Sequence, residues 1–219
     1  MGKRRAYPLC GEIMRFSKFT YFYPEAPTLI HRDSELVVKL SNDPQYVAEP
    51  KYNGCRLELH IIDGECQFWD RHGKRLQYDS KSAEVIRFIL KTFFPKGYYL
   101  FDGELRNNKV TGIRDKIVLW DCFIWDGEFL GNVPYCLRRL KLEGFLKEDN
   151  KLDICLIAQH NTNFKWWYNE YISGVHGDPK EFEGLVMKDI NGKLNLSRTK
   201  NNNSSWMYKI RKETGRHKF

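Results

Sequence analysis

Charged residues in predicted strands are the first candidates for chemistry in this chain, because burying a charge is costly unless it is paired or bound to a ligand. The set comprises Lys51, Glu104, Glu183, Lys188 and Lys209. A neutral lysine amine is a nucleophile, and carboxylate oxygens are the ligands that Mg²⁺ prefers. We expect the five to share one site. The alternative is that each faces solvent on the polar side of an alternating strand.

Lys51 has the most specific surroundings of the five. In "VAEPKYNGCRLEL" it follows Pro50 and precedes Asn53-Gly54 and then Arg56. A turn pair between two apolar runs predicts a tight connection between strands, and glycine permits the sharp bend. The sequence therefore predicts Lys51 at the lip of a turn.

Length and charge limit the classes of protein that fit. The chain has 219 residues, 42% of them hydrophobic, which is enough for one domain with a substantial core. Its formal net charge is +8. That balance indicates a polyanionic partner such as nucleic acid, or else reflects solubility alone.

Cysteine usage indicates a reducing compartment. The six cysteines include no C-x-x-C pair and no His/Cys cluster at metal-ligand spacing, so neither a zinc site nor a disulfide framework is predicted. No run has the length of an apolar membrane span, and "MGKRRAYPLC" lacks the apolar core of a signal peptide. We therefore expect a cytoplasmic protein without membrane association.

The elements that must position these residues follow from periodicity. Helical spacing of apolar residues predicts helices around Val85 to Phe93, from Pro134 through Leu140, and from Phe164 to Ile172, with a short helix near "DSELVVKL". Predicted strands are "RLELHII", "ECQFW", "YYLFDGEL", "KIVLWDCFIW", "DICLIAQ", "GLVMKDI" and "WMYKIRK". The pattern indicates an α+β fold with antiparallel sheets packed together and helices outside. Residues 1–44 are predicted to form an N-terminal arm, and residues 45–219 a single catalytic domain.

Four motifs in order resemble those of a known superfamily. "KYNGCR", "DGEL", "EGLVMK" and "YKIR", supported by "DRHG" and "LWD", are similar to the motifs of the covalent nucleotidyltransferases, which include ATP-dependent DNA ligases, RNA ligases and mRNA capping enzymes. The resemblance runs from Val47 to Lys212. Each motif alone is weak evidence, whereas the ordered set is specific. It implies an adenylation domain of the ATP-grasp/DNA ligase type, without an OB-fold in this chain.

The resemblance implies a covalent intermediate on Lys51. A lysine amine can hold a nucleotidyl group as a phosphoramidate, and neighbouring cations favour the neutral amine that must attack. By the same resemblance Lys188 and Lys209 hold the α-phosphate, while Glu104 and Glu183 contact the ribose or bind magnesium.

The remaining implied contacts are to the nucleotide. Arg56 holds the ribose or the 5′-phosphate strand, Arg71 contacts ribose and phosphate, and Arg211 contacts phosphate. Trp120 stacks on the purine. Glu49 accepts a hydrogen bond from the adenine amino group, which favours ATP over GTP.

Two positions depart from the superfamily pattern. Asn53 stands where an aspartate is usual, so a base or metal contact there is in doubt. Arg211 stands where the second lysine of the last motif is usual, with Lys212 next to it, so the phosphate contact is expected to shift between these two residues.

The sequence therefore predicts an ATP-dependent DNA ligase of the short, phage-like form, using magnesium and sealing nicked duplex DNA as a monomer. Basic residues at the two ends of the chain are the predicted DNA contacts, or else solubilising tails: Lys3, Arg4, Arg5, Lys212 and Arg216. An RNA ligase and a GTP-using capping enzyme are the alternatives within the superfamily. A degenerate module that binds nicks without chemistry is the alternative from another class.

Overall fold

The computed structural model describes residues 14–78, 81–106, 116–146, 154–195 and 203–212. Its strands are β1 (Ala26–Leu29), β2 (Tyr46–Tyr52), β3 (Cys55–Ile62), β4 (Glu65–Asp70), β5 (Tyr98–Arg106), β6 (Lys116–Trp125), β7 (Glu128–Phe129), β8 (Ile154–Leu156), β9 (Phe182–Asp189) and β10 (Asn203–Arg211). Its helices are α1 (Glu35–Ser41), α2 (Lys81–Phe93), α3 (Tyr135–Leu146) and α4 (Phe164–Ser173), and Pro179–Glu181 forms a 3₁₀ turn. The predicted α+β class is confirmed.

The larger sheet has the strand order β4-β3-β5-β6-β7, with β8 added in parallel beside β6. One face carries apolar residues from alternate positions of the strands, which pack with α2 and α3 residues. Leu57, Leu59, Phe101 and Leu119 are fully buried in this core. The period of two along each strand sends the intervening residues to the opposite face.

The smaller sheet has the strand order β1-β10-β9-β2. Its covered face packs with α1 and α4, through buried residues that include Leu40, Ala48, Phe164 and Leu185. The strands are antiparallel except for β1, which runs parallel to β10. This pairing draws part of the segment before residue 44 into the sheet. The division into an arm and a domain stays a prediction.

Strand register places the charged residues of the smaller sheet on one face. Lys51 pairs with Gly184, and Gly184 pairs with Arg211. Two residues along each strand, Glu49 pairs with Val186, and Val186 pairs with Lys209. Lys188 follows on the same face, between Val47 and Met207. Paired residues in a sheet project to the same side, so these side chains form one row.

A short crossing connects the two sheets behind this face. The Ile157 amide donates to the Leu119 carbonyl of β6 at 3.1 Å, and the His160 amide donates to the Ala48 carbonyl of β2 at 2.9 Å. The segment 157–160 thus pairs with a different sheet at each end. It therefore links β6 of the larger sheet to β2 of the smaller sheet.

Helix α3 buries a face that its apolar pattern does not predict. Leu137 and Leu140 are exposed, whereas Arg138 and Arg139 are buried. Leu142 and Tyr135 complete the inner face. The two arginines turn inward because carboxylates from the sheets meet them there, which periodicity of apolar residues cannot register.

Helices within the described ranges are all too short or too polar to cross a membrane.

Gly184 is a position where we expect substitution to be severe. Its φ is +148°, and a Cβ there would lie 2.0 Å from the Ile210 carbonyl oxygen. Gly184→Ala should therefore lower the free energy of unfolding by about 3 kcal/mol or more, measured by urea denaturation. Gly144 in α3 is the matched control, because a Cβ there meets nothing within 4 Å. Gly144→Ala should raise stability by about 0.5–1 kcal/mol. Equal effects at the two glycines would contradict this account.

Candidate active site

Lys51 lies at the end of β2 with its amine paired to a carboxylate. Its Nζ is 2.5 Å from Glu183 Oε2, and Arg211 Nη2 reaches the same oxygen at 2.8 Å. All three side chains are partly exposed, at 25%, 21% and 34%. The register between β2 and β9 shifts at Lys51/Tyr52, which brings Glu183 beside the amine. A nucleophile, a carboxylate and a cation therefore meet where a ligand can enter.

The geometry of the turn after Lys51 accounts for both Asn53 and Gly54. A Cβ at Gly54 would lie 2.6 Å from Glu104 Cγ, so glycine is needed for Glu104 to pack against the turn. Asn53 Nδ2 donates to the Lys180 carbonyl at 3.1 Å, and its backbone amide donates to the Glu181 carbonyl at 2.8 Å. An aspartate could not donate to that carbonyl. Asn53 ties the Lys51 turn to the segment leading into Glu183.

Arg56 is held on the larger sheet by two hydrogen bonds that it donates to one carboxylate. Its Nε and Nη2 donate to Asp102 at 2.9 and 2.5 Å, and its Nη1 donates to the Glu25 carbonyl at 2.8 Å. Trp120 Nε1 donates to the same Asp102 at 2.7 Å. Asp102 is buried, so it fixes a guanidinium and an indole together. Glu104 pairs with Arg56 across β3 and β5.

Lys188 belongs to a buried cluster at the inner end of the cleft. Its Nζ is 2.6 Å from Glu49 Oε2, 4.6 Å from the Tyr135 ring centroid and 5.8 Å from the Trp120 ring centroid. Glu49 also accepts hydrogen bonds from the Tyr135 hydroxyl, from Arg139 Nη1 at 3.1 Å and from Gln159 Nε2 at 2.9 Å. The contact between Lys188 and Trp120 joins the two sheets across the site.

Lys209 carries the electrostatic signature of an anion site. Burial lowers its pKa, and the charges of Lys51, Arg211 and Arg56 lower it further, against the opposite effect of Glu183. The cations around Lys209 therefore outweigh its acidic neighbours. A bound phosphate group would relieve this repulsion, which is what a phosphate site requires.

Asp121 and Arg138 form a buried ion pair that joins β6, next to Trp120, to α3. Arg138 is fully buried and donates to both Asp121 oxygens at 2.7 and 2.8 Å, and to the Val133 and Gly192 carbonyls. Asp121 directly follows Trp120, so this pairing fixes the start of α3 relative to the indole. A bidentate buried pair is costly to break from one side.

Glu58 and His60 form a buried polar network on the same face of the larger sheet. His60 Nε2 is 3.2 Å from Glu58 Oε2, and its Nδ1 is 2.8 Å from the Tyr98 hydroxyl. Burial lowers the pKa of His60 to about 3. Burial, and then the charge of Asp102, raises the pKa of Glu58 well above its ordinary value. Burial therefore disfavours the charged form of both side chains.

The carboxylates Glu104 and Glu183 have the donor chemistry for magnesium. Among the described residues no cluster of three or more His, Cys, Asp or Glu side chains could hold a metal ion alone. Mg²⁺ commonly binds through one or two carboxylates together with substrate phosphates, so the residues present fit that mode. Partly exposed Glu183, beside Lys51, suits it better than buried Glu104.

The structure brings most of the predicted site residues together. Members of one cleft, or directly beside it, are Glu49, Lys51, Arg56, Glu104, Trp120, Glu183, Lys188, Lys209 and Arg211. Arg71 instead lies in the exposed turn after β4, where its Nε bonds His72 Nε2 at 3.2 Å. Lys212 Nζ donates to the Pro179 carbonyl. Lys3, Arg4, Arg5 and Arg216 lie outside the described residues.

Sequence reasoning missed four residues that organise the cleft: Asp102, Tyr135, Arg139 and Gln159. Asp102 could have been predicted, because it is the first residue of "DGEL" and strand alternation places it on the same face of the sheet as Glu104. Arg139 belongs to α3, a helix that the sequence predicts from its leucines and not from its basic residues. Nothing in the sequence signals Tyr135 or Gln159, because their partners are distant along the chain.

Comparison with known proteins finds DNA ligases, while no family model matches the chain. A DNA ligase of Thermoplasma volcanium is 24% identical over 183 residues, which is 71% of this chain and 29% of that protein. A DNA ligase of Variola virus is 28% identical over 167 residues, 66% of this chain and 29% of that protein. The chain thus spans less than a third of the length of these curated relatives.

Solved structures show the same architecture. A mycobacterial DNA ligase D complexed with ATP matches with a TM-score of 0.61 and 15% identity, over 87% of this chain and 60% of that one. The ATP-dependent DNA ligase of bacteriophage T7, in complex with ATP, matches with a TM-score of 0.53 and 15% identity. The match covers 86% of this chain and 68% of the T7 chain. The chain has the nucleotidyltransferase fold of ATP-dependent DNA ligases, and the predicted resemblance is confirmed at this level.

The Glu58 and His60 network predicts a measurable pH dependence of stability. Because the pKa of His60 is about 3 when folded and about 6.5 when unfolded, its contribution is present above pH 6.5 and is lost as pH falls toward 3. Between these two pKa values the free energy of unfolding should change by up to about 1.4 kcal/mol per pH unit. Glu58 acts oppositely, since its raised pKa costs stability as pH rises above about 4.5.

His60→Gln should therefore have a lower free energy of unfolding than the parent at pH 7.5. The difference between the two proteins should shrink by several kcal/mol as the pH falls toward 4, because only the parent loses the stability that depends on a neutral His60. Urea denaturation at a series of pH values measures it. His72→Gln, in the exposed turn after β4, controls for loss of an imidazole as such. A gap for His60→Gln that stays constant with pH would show that burial does not suppress protonation of this imidazole.

Proposed function

We propose that this chain is the adenylation domain of an ATP-dependent polynucleotide ligase and that it seals nicks in duplex DNA through a lysyl-AMP intermediate. The observation that carries the proposal is the environment of Lys51. Its amine is accessible, touches Glu183, and lies beside the cations Lys209 and Arg211. The similarity to DNA ligases supports the same chemistry.

The first step transfers AMP to Lys51. The neutral Nζ attacks the α-phosphorus of ATP, a nitrogen–phosphorus bond forms, and the bond to the bridging oxygen breaks as pyrophosphate leaves with the electron pair. Glu183 Oε2, 2.5 Å from Nζ, is placed to receive the proton that the amine loses. Lys188, Lys209 and Arg211 stabilise the charge that develops on the α-phosphate.

The second and third steps use the nick. An oxygen of the 5′-phosphate attacks the phosphorus of the adduct, the phosphorus–nitrogen bond breaks, and the amine regains its proton. The 3′-hydroxyl oxygen then attacks the 5′-phosphate, AMP leaves, and the hydroxyl proton passes to solvent. Arg56, held rigidly by Asp102, is oriented to bind a phosphate of the nicked strand.

Magnesium, bound by Glu183 and Glu104 together with the phosphates, would neutralise charge on the leaving pyrophosphate. The purine is proposed to stack on Trp120, whose indole is fixed in place by Asp102. We place the protein in the cytoplasm as a monomer. The five cysteines in the described part of the chain are all unpaired, which suits a reducing compartment.

The test of the proposal is covalent labelling. Protein incubated with magnesium and α-labelled ATP should retain label after denaturation, whereas α-labelled GTP should give little. Lys51→Ala and Lys51→Arg should abolish the label, because neither residue supplies an amine that can attack. Lys91→Ala, an exposed lysine on α2 far from the cleft, should label normally.

Three outcomes would redirect the proposal. Labelling by GTP alone would indicate capping chemistry. Sealing of nicks in RNA but not in DNA would indicate an RNA ligase. Folded protein without bound AMP that takes label from neither nucleotide would contradict the enzyme and leave a binding module.

DNA contact by the basic N-terminal segment is also proposed. Replacing Lys3, Arg4 and Arg5 by alanine should weaken binding to nicked duplex and reduce the slope of log K against log salt by up to about 3, since each phosphate contact contributes about 0.9. The readout is fluorescence anisotropy across a salt series. Alanine at Lys39, Lys91 and Lys96, exposed residues of α1, α2 and the following loop, removes the same charge elsewhere. Equal slopes in the two triple variants would reject a specific contact.

A further inference from the structure

Gln159 occupies a position between the two walls of the cleft. It lies in the crossing 157–160, whose first residue bonds Leu119, the neighbour of Trp120, and whose last residue pairs with Ala48, the neighbour of Glu49. The crossing therefore joins the strand that carries the indole proposed to stack on the purine to the strand that carries Glu49, and the Gln159 side chain contacts Glu49. Gln159 itself is only partly buried.

The amide group of Gln159 is oriented by its own hydrogen bonds. Its Nε2 donates to Glu49 Oε1 at 2.9 Å and to the Tyr135 hydroxyl oxygen at 2.8 Å. With both donor directions satisfied, the carbonyl oxygen Oε1 is directed away from Glu49. In the described part of the chain no donor hydrogen bonds to Oε1.

Glu49, in contrast, has little capacity for another donor. Its Oε1 accepts from Tyr135, Arg139 and Gln159, and its Oε2 is paired with Lys188 at 2.6 Å. It is 1% exposed. To accept an amino group from a base directly, Glu49 would have to lose a charged or buried partner, and an unpaired buried donor is costly.

We propose that Gln159 Oε1 is the acceptor that selects the nucleotide base, and that Glu49 and Tyr135 are positioning residues that hold its amide in the required orientation. This inference rests on the proposed function and specifies how ATP is chosen. The 6-amino group of adenine can donate to Oε1. A 6-oxo purine would place lone pairs against it, so the same oxygen that accepts adenine rejects hypoxanthine and guanine.

The experiment compares Gln159→Met with the parent protein, using three triphosphates that differ at position 6 of the purine and, in the 6-oxo base, also by a hydrogen on N1. ATP carries the amino group, purine riboside triphosphate carries hydrogen, and inosine triphosphate carries oxygen. Rates of adduct formation on Lys51 are measured by intact mass. The parent should prefer ATP over the hydrogen analogue by about 10-fold and over the oxygen analogue by about 100-fold. In Gln159→Met both preferences should fall to about 2-fold or less.

Each preference is a ratio within one protein, so a lower folded fraction in the variant does not alter it. Gln45→Met is the matched control, because Gln45 is exposed and hydrogen bonds only through its backbone. It should keep the parent's preferences. Equilibrium binding of the same triphosphates to Lys51→Ala, with and without Gln159→Met, measures base preference in the absence of adduct formation. The differences in Kd among the three triphosphates should shrink when Gln159→Met is added.

The outcomes separate the inference from the function on which it rests. No adduct in the parent with any of the three triphosphates would reject the proposed function. Adduct formation with unchanged preferences in Gln159→Met would overturn the inference alone. Preferences lost in Glu49→Gln but retained in Gln159→Met would also overturn it, in favour of direct reading by Glu49. Loss in both variants, with Gln45→Met unaffected, supports the proposal.

Discussion

The burial of opposite charges between two sheets is the constraint on which this structure depends. Each sheet buries one face in a helix-covered core, and the charged residues of the site lie on the other face. Buried charges are tolerated only when paired. The fold meets that requirement with pairs between neighbouring strands, such as Lys188 with Glu49 in the smaller sheet, and with pairs between helix and sheet, such as Arg138 with Asp121.

This pairing also prepares the site for a ligand. Lys51 and Arg211 share Glu183, and Lys188 is held by Glu49, so the cations that would meet phosphate are already oriented and neutralised. An incoming nucleotide would take the place of Glu183 beside Lys51 and Arg211, and it would give Lys188 a second partner besides Glu49. The pKa of Lys209 is lowered by burial and by surrounding cations, and a bound anion would oppose both effects. Preorganised charge of this kind is the main contribution a protein makes to phosphoryl transfer.

The parts of the fold and site that could be predicted are those encoded locally. Alternation and turn residues placed Lys51, Glu104 and Lys188 in strands, and the order of four motifs predicted the fold that the solved structures share. The partners of these residues could not be predicted, because they arrive from other elements. Glu49 meets Arg139 from α3 and Gln159 from the crossing, and neither segment carries a local signal for that contact. Helix α3 shows the limit most clearly, since exposed leucines and buried arginines invert the usual pattern.

The most direct test of the account is a crystal structure of the protein after reaction with ATP and magnesium. The account predicts a phosphorus atom bonded to Lys51 Nζ, Glu183 no longer paired with that amine, and the purine against Trp120 with its amino group toward Gln159. Lys188 should contact the phosphate while it keeps its ion pair with Glu49. A nucleotide bound outside the cleft, or one inside it with Lys51 unmodified and still paired to Glu183, would contradict the account.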